Sequence, residues 1–149
     1  MYVFNYIIKM NDDNCIINNN LIILKYNFNQ PLGNSLSNLT NLTFLSLGYN
    51  FNQLLDLPLN IEILSLNCDN LYLIENLPNS VKELYLGYNF NLKLNNLPSS
   101  IEGIIFHEKS KYNQELNNLP KLLELLKLPE KYKLDIKNIN PSCKIIRKK

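Results

Sequence analysis

A Leu-Pro dipeptide recurs at Leu57-Pro58, Leu77-Pro78, Leu97-Pro98 and Leu119-Pro120, with Ile139-Asn140-Pro141 as a worn copy, so successive prolines lie 20, 20, 22 and 21 residues apart. A fixed period of this length constrains the chain more than any local propensity. One unit is too short to bury its own apolar face, and stacking equal units joins those faces into a continuous core. Three residues beyond each of the first four prolines an apolar series L-x-x-L-x-L begins: Ile61, Leu64, Leu66; Val81, Leu84, Leu86; Ile101, Ile104, Phe106; and Leu123, Leu126, Leu128. Upstream, Leu42, Leu45 and Leu47 repeat it, and Ile22 with Leu24 supply its last two members.

The last two members of each series stand two residues apart, on one side of an extended strand. Short strands of this kind are stable only beside parallel neighbours, and the period leaves no room for a long returning helix. Proline fixes its own φ and drives the preceding residue towards extended geometry, so the return segments are expected to be extended or a single 3₁₀ turn. The expected fold is therefore a mainly β solenoid with little helix. It forms one domain: an N-terminal cap at 1–18, five to six repeats of 19–23 residues at 19–128, and a C-terminal cap at 129–149. The alternation Tyr2, Phe4, Tyr6, Ile8 suits an added strand or hairpin over the first coil, and Tyr132, Leu134 and Ile136 alternate likewise near the other end, where Cys143-Lys144-Ile145-Ile146 suits a final strand. At 121–128 the sequence KLLELLKL favours helix by composition and strand by period; the period decides for strand.

The hexapeptide LGYNFN stands at 47–52 and again at 86–91, with LKYNFN at 24–29 and the echo KYNQ at 111–114. Aligned, these give an aromatic column, Phe28, Phe51, Phe90 and Tyr112, which reads as an interior stack. Two asparagine columns flank it: Asn27, Asn50 and Asn89 before the aromatic, and Asn29, Asn52, Asn91 and Asn113 after it. An amide offers both donor and acceptor, so one column can satisfy backbone groups left open at the turn. The period alone does not choose between them.

Phe28-Asn29-Gln30-Pro31-Leu32, Phe51-Asn52-Gln53, Phe90-Asn91 and the recurring Leu-Pro-x-Ser resemble the leucine-rich repeat family, and within it the FNIP-type repeat familiar in amoebae and giant viruses. The resemblance covers about residues 20–128, although the unit LNCDNLYL at 66–73 lacks Phe-Asn. It implies a curved solenoid that binds proteins, usually without catalysis. The family's L-x-L-x-x-N pattern favours Asn27, Asn50 and Asn89 as the structural ladder.

Composition narrows the function further. The 149 residues include 27 Asn, no Ala and no Trp, a skew expected of an AT-rich coding sequence. A net charge of +2 is too small to imply a nucleic-acid partner. Cys15, Cys68 and Cys143 lack metal or disulfide-framework spacing, and His107 is the single histidine, so no metal site, cofactor or catalytic residue is expected. No signal peptide or membrane-length apolar run is evident, and the expected location is the cytoplasm, the host's if the chain is viral.

With the strand leucines inward, the outward positions form rows. One is Leu21, Phe44, Ile63, Glu83, Gly103, Leu125; the next is Ile23, Ser46, Ser65, Tyr85, Ile105, Lys127. Phe44, Ile63, Tyr85, Ile105, Ile23 and Leu125 are the expected contacts for an unidentified protein on the concave face. A homodimer through the same apolar face is the alternative.

Overall fold

Eight strands form one sheet in chain order in the computed structural model, which describes residues 15–147. They are β1 (Cys15–Ile17), β2 (Leu21–Leu24), β3 (Phe44–Leu47), β4 (Ile63–Leu66), β5 (Glu83–Leu86), β6 (Gly103–Phe106), β7 (Leu125–Leu128) and β8 (Lys144–Arg147). β1 runs antiparallel to β2 and covers its outer edge, while every later pair is parallel. The register is that of the repeat: Phe44 lies beside Ile63, Ile63 beside Glu83, Glu83 beside Gly103 and Gly103 beside Leu125. The chain is a β-solenoid of stacked coils. The alternation at Tyr2, Phe4, Tyr6 and Ile8 lies outside the described residues.

Alternation within each strand divides core from solvent. Leu45, Leu47, Leu64, Leu66, Leu84, Leu86, Ile104, Phe106, Leu126 and Leu128 are buried, while their strand neighbours face outward. Each such leucine contributes roughly 1.5–3 kcal/mol by leaving water, which explains why the pattern tolerates so little change. Residues 121–128 accordingly end in β7, because Leu126 and Leu128 gain both the core and a parallel neighbour on each side. An eight-residue helix would be marginal by itself.

The Leu-Pro unit makes the corner before each strand. The carbonyls of Pro58, Pro78, Pro98 and Pro120 accept the N–H groups of Ile61, Val81, Ile101 and Leu123, closing a turn at the first apolar position. In the first three of these turns the second central residue ties one coil to the coil before it. Ser80 Oγ donates to the Ile61 carbonyl at 2.7 Å, and Ser100 Oγ to that of Val81 at 2.9 Å. Asn60 does the same work with its amide, donating to the Thr40 and Leu42 carbonyls.

The corner after β2, β3 and β5 is the repeated hexapeptide. Phe28, Phe51 and Phe90 donate their N–H groups to the carbonyls of Lys25, Gly48 and Gly87, so Tyr-Asn occupies the two central turn positions and points to solvent. This corrects the expected ladder. Asn27, Asn50 and Asn89 are exposed, and the side chain of Asn50 donates to that of Asn27 at 3.3 Å without reaching backbone. The following column stitches the backbone instead: Asn29 Oδ1 accepts the Asn52 N–H at 2.8 Å, and Asn91 Oδ1 accepts that of Asn113 at 3.0 Å. In the irregular third coil the acceptor comes from one place earlier: Asp69, in the column of Asn50, accepts the Asn91 N–H at 2.9 Å.

Behind these corners the aromatic column is buried. Phe28 stacks on Phe51 at 6.3 Å, and Phe90 on Tyr112 at 6.2 Å. The third coil breaks the column because Asn70 occupies the aromatic position. Asn70 starts the short helix α1 (Leu71–Glu75): its Oδ1 accepts the Leu73 N–H, while its Nδ2 donates to the Gln53 carbonyl at 3.0 Å. Leu73 and Ile74 then enter the core. One return segment is therefore helical, against the expectation of extended or 3₁₀ returns throughout. Residues 129–147, expected as a cap, make a further coil: Tyr132 continues the stack at 6.0 Å from Tyr112, and β8 pairs parallel with β7.

Candidate functional site

The open face of the sheet carries two outward rows set by strand register. Leu21, Phe44, Ile63, Glu83, Gly103 and Leu125 are successive partners, as are Ile23, Ser46, Ser65, Tyr85, Ile105 and Lys127. The structure thus brings Phe44, Ile63, Tyr85, Ile105, Ile23 and Leu125 onto one surface. Their exposure is modest: Tyr85 reaches 38%, and the other five are half-buried. The most exposed apolar side chains lie elsewhere, with Leu59 at 84% on a turn before a strand and Leu54 at 68% on a return segment.

On β5 the face becomes polar. Tyr85 Oη donates to Glu83 Oε2 at 2.9 Å, and this bond to a carboxylate raises the phenol's pKa above its ordinary value. Beside the pair, Gly103 adds no side chain to the outward row and is covered by those of Glu83 and Ile105. Between β4 and β7 lies a shallow recess of about 380 Å³, with Ser65, Tyr85, Ile105, His107 and Lys127 in its lining. This arrangement offers flat apolar contact, a phenol and a carboxylate, and a lysine at the far edge. It suits recognition of a surface.

Catalysis has little to draw on. His107 is exposed, its Nδ1 accepting the Lys109 N–H at 3.2 Å and its ring meeting Tyr88 edge-on at 6.0 Å. Among the described residues no group of three or more His, Cys, Asp or Glu side chains could hold a metal ion. Cys68 is buried, and burial pushes its thiol pKa up to about 11, the opposite of an activated nucleophile. No helix among the described residues is long and apolar enough to cross a membrane.

A second surface, absent from the sequence expectations, borders the first. Tyr26, Tyr49 and Tyr88 each occupy the first central position of the turn after a strand, and all three are exposed. Tyr26 and Tyr49 stack with centroids 5.1 Å apart and planes 13° apart. The signal was in the hexapeptide itself, two residues past the last strand leucine.

The glycines preceding Tyr49 and Tyr88 are required by coil spacing. A Cβ on Gly48 would collide with the Lys25 carbonyl oxygen of the preceding coil, and one on Gly87 would lie 2.5 Å from Asn67 Oδ1. The hexapeptide is written twice for this reason: glycine, turn pair and core aromatic answer the same packing demand in two coils.

Residues 70–109 match the family model described as FNIP Repeat. Among solved structures the chain is similar to CroV588, described as a novel circular leucine-rich-repeat protein, with a TM-score of 0.69 and 28% identity over 88% of this chain. The chain spans only 21% of the length of CroV588. No curated protein matches the sequence.

Proposed function

We propose that this chain, a solenoid of the FNIP and leucine-rich-repeat type, is a non-enzymatic module that binds a protein partner through the open face of its sheet. Repeat folds of this type generally serve protein interaction, and the finer reading rests on one observation. Phe44 and Ile63 are register partners in one outward row, and Tyr85 and Ile105 are register partners in the next, one residue on each of the consecutive strands β3 to β6. Apolar and aromatic side chains gathered on a rigid sheet, with a polar pair at Glu83 and Tyr85, are the usual makings of an interface centre. The test is partner capture from the native cell with the wild-type chain, Phe44→Glu, Tyr85→Glu and Asn50→Asp. The two face substitutions should abolish capture and the turn substitution should preserve it; equal capture by all four contradicts the proposal.

Self-association through the same apolar face is the second reading, favoured by Tyr85, which stands 38% exposed among half-buried apolar neighbours. Light scattering at micromolar concentration decides it: a dimer supports this reading and a strict monomer removes it.

A further inference from the structure

We infer that the turn edge of the solenoid holds a slot for an arginine side chain, between the rings of Tyr49 and Tyr88. The slot follows from one break in the tyrosine column. Read coil by coil, the column is Tyr26, Tyr49, Cys68 and Tyr88, and Cys68 is turned inward with 4% exposure. Where its neighbours carry a ring, the third coil therefore carries none.

Both rings beside the gap are supported from behind. Tyr26 stacks on Tyr49 from the preceding coil at 5.1 Å. From the following coil, Lys111 Nζ lies 5.3 Å from the Tyr88 centroid and His107 packs edge-on at 6.0 Å. Parallel strands lie about 4.8 Å apart, so rings two coils apart are about 10 Å apart, and one planar group fits at stacking distance from both. A recess of about 480 Å³ runs along this edge from Ile23 and Tyr26 to His107 and passes the gap, with Tyr49, Tyr88 and Asn67 in its lining.

The chemistry of the walls selects the occupant. Tyrosine faces are electron-rich and attract cations, as Tyr88 already does with Lys111. Asn67 Nδ2 donates to the Leu47 carbonyl at 3.2 Å, which leaves Oδ1 as an acceptor towards Gly87. A planar group that carries only donors and a positive charge is a guanidinium. Lys25 also lines the recess, so discrimination rests on stacking and donor geometry more than on net charge.

The inference rests on the protein-binding reading only for the source of the arginine, a side chain of the partner; the slot is tested separately with small probes. Titration of the chain, its tyrosine rings ¹³C-labelled, with L-argininamide should give saturable shifts at Tyr49 and Tyr88. L-lysinamide and L-phenylalaninamide at equal ionic strength should bind at least about fivefold more weakly, since stacking and cation attraction must act together. Tyr88→Leu and Tyr49→Leu, at exposed turn positions where the fold can be checked by circular dichroism, should each weaken argininamide by about fivefold or more. Absence of saturable shifts, lysinamide or phenylalaninamide binding as tightly as argininamide, or folded leucine variants that bind argininamide unchanged would each overturn the slot. Loss of partner capture on Phe44→Glu together with a failed titration would remove the slot and leave the open-face reading standing.

Discussion

Gly48 passes so close to the carbonyl oxygen of Lys25 in the preceding coil that a Cβ has no room between them. The obstacle is backbone, fixed by the parallel pairing of β2 and β3, so the neighbour cannot turn aside. Gly48→Ala should therefore destabilise the fold by about 1–3 kcal/mol, the usual range for overpacking. Gly103 gives the contrast. A Cβ there meets Ile105 Cδ1 at 3.3 Å and Glu83 Cγ at 3.5 Å, both on flexible side chains. Gly103→Ala should change stability by less than about 1 kcal/mol, and urea unfolding of the two variants checks the difference.

The two asparagine columns should separate by mutation as they do by geometry. Asn91→Ala removes the acceptor of the Asn113 N–H and should cost about 0.5–1.5 kcal/mol. Asn50→Ala removes only an exposed amide pair and should stay within about 0.5 kcal/mol. Equal costs from urea unfolding would contradict the assignment of the ladder.

Tyr112 carries a buried hydroxyl with no hydrogen-bond partner among the described residues, and burial raises its pKa. The equivalent residues in three other coils are phenylalanine. Tyr112→Phe should therefore stabilise the protein by about 1 kcal/mol, because it deletes an unmet polar group and keeps the ring. A thermal melt showing loss of stability would indicate that the hydroxyl has a partner after all.

Cys68 supplies a pH dependence. Burial raises its pKa from 9.0 to about 11, so between those values the folded chain holds a proton that the unfolded chain has released. Stability from this group is complete below about pH 9 and falls as pH rises towards 11. Cys68→Ala should flatten the alkaline loss of stability relative to wild type. At neutral pH the native thiol should be alkylated far more slowly than Cys143, which is less buried.

Much of the fold was legible because the strand rows depend on a period of two set inside a period near 20. Leu64 and Leu66, or Leu84 and Leu86, have no alternative partner once the coils stack. What escaped depended on geometry within a corner. Asn50 and Asn52 are the same residue type two places apart, and only the turn bond between Phe51 and Gly48 shows that the first points outward. α1 was hidden because Asn70 replaces an aromatic, and its capping role exists only where the Gln53 carbonyl lies within reach. The last strand was legible at 143–146, while the rest of its coil was obscured by Leu128-Pro129, which repeats the Leu-Pro signal out of phase, at the position held elsewhere by Leu-Gly.

The candidate site divides along the same line. Outward rows followed from the strands, so Phe44, Ile63, Tyr85 and Ile105 could be named from spacing. The tyrosine slot could not, because it depends on Cys68 turning inward and on which faces of Tyr49 and Tyr88 remain uncovered. A column of three tyrosines was visible; the gap in it was a property of the third coil's packing.

Site-specific photo-crosslinking tests the open face most directly. A photoreactive side chain placed at Ser46 or Ser65, in the outward row of β3 and β4, should give covalent adducts with the captured partner. The same group at Leu59, on the turn before β4, should give none. Adducts at position 59 with none at 46 or 65 would contradict the open face as the binding surface.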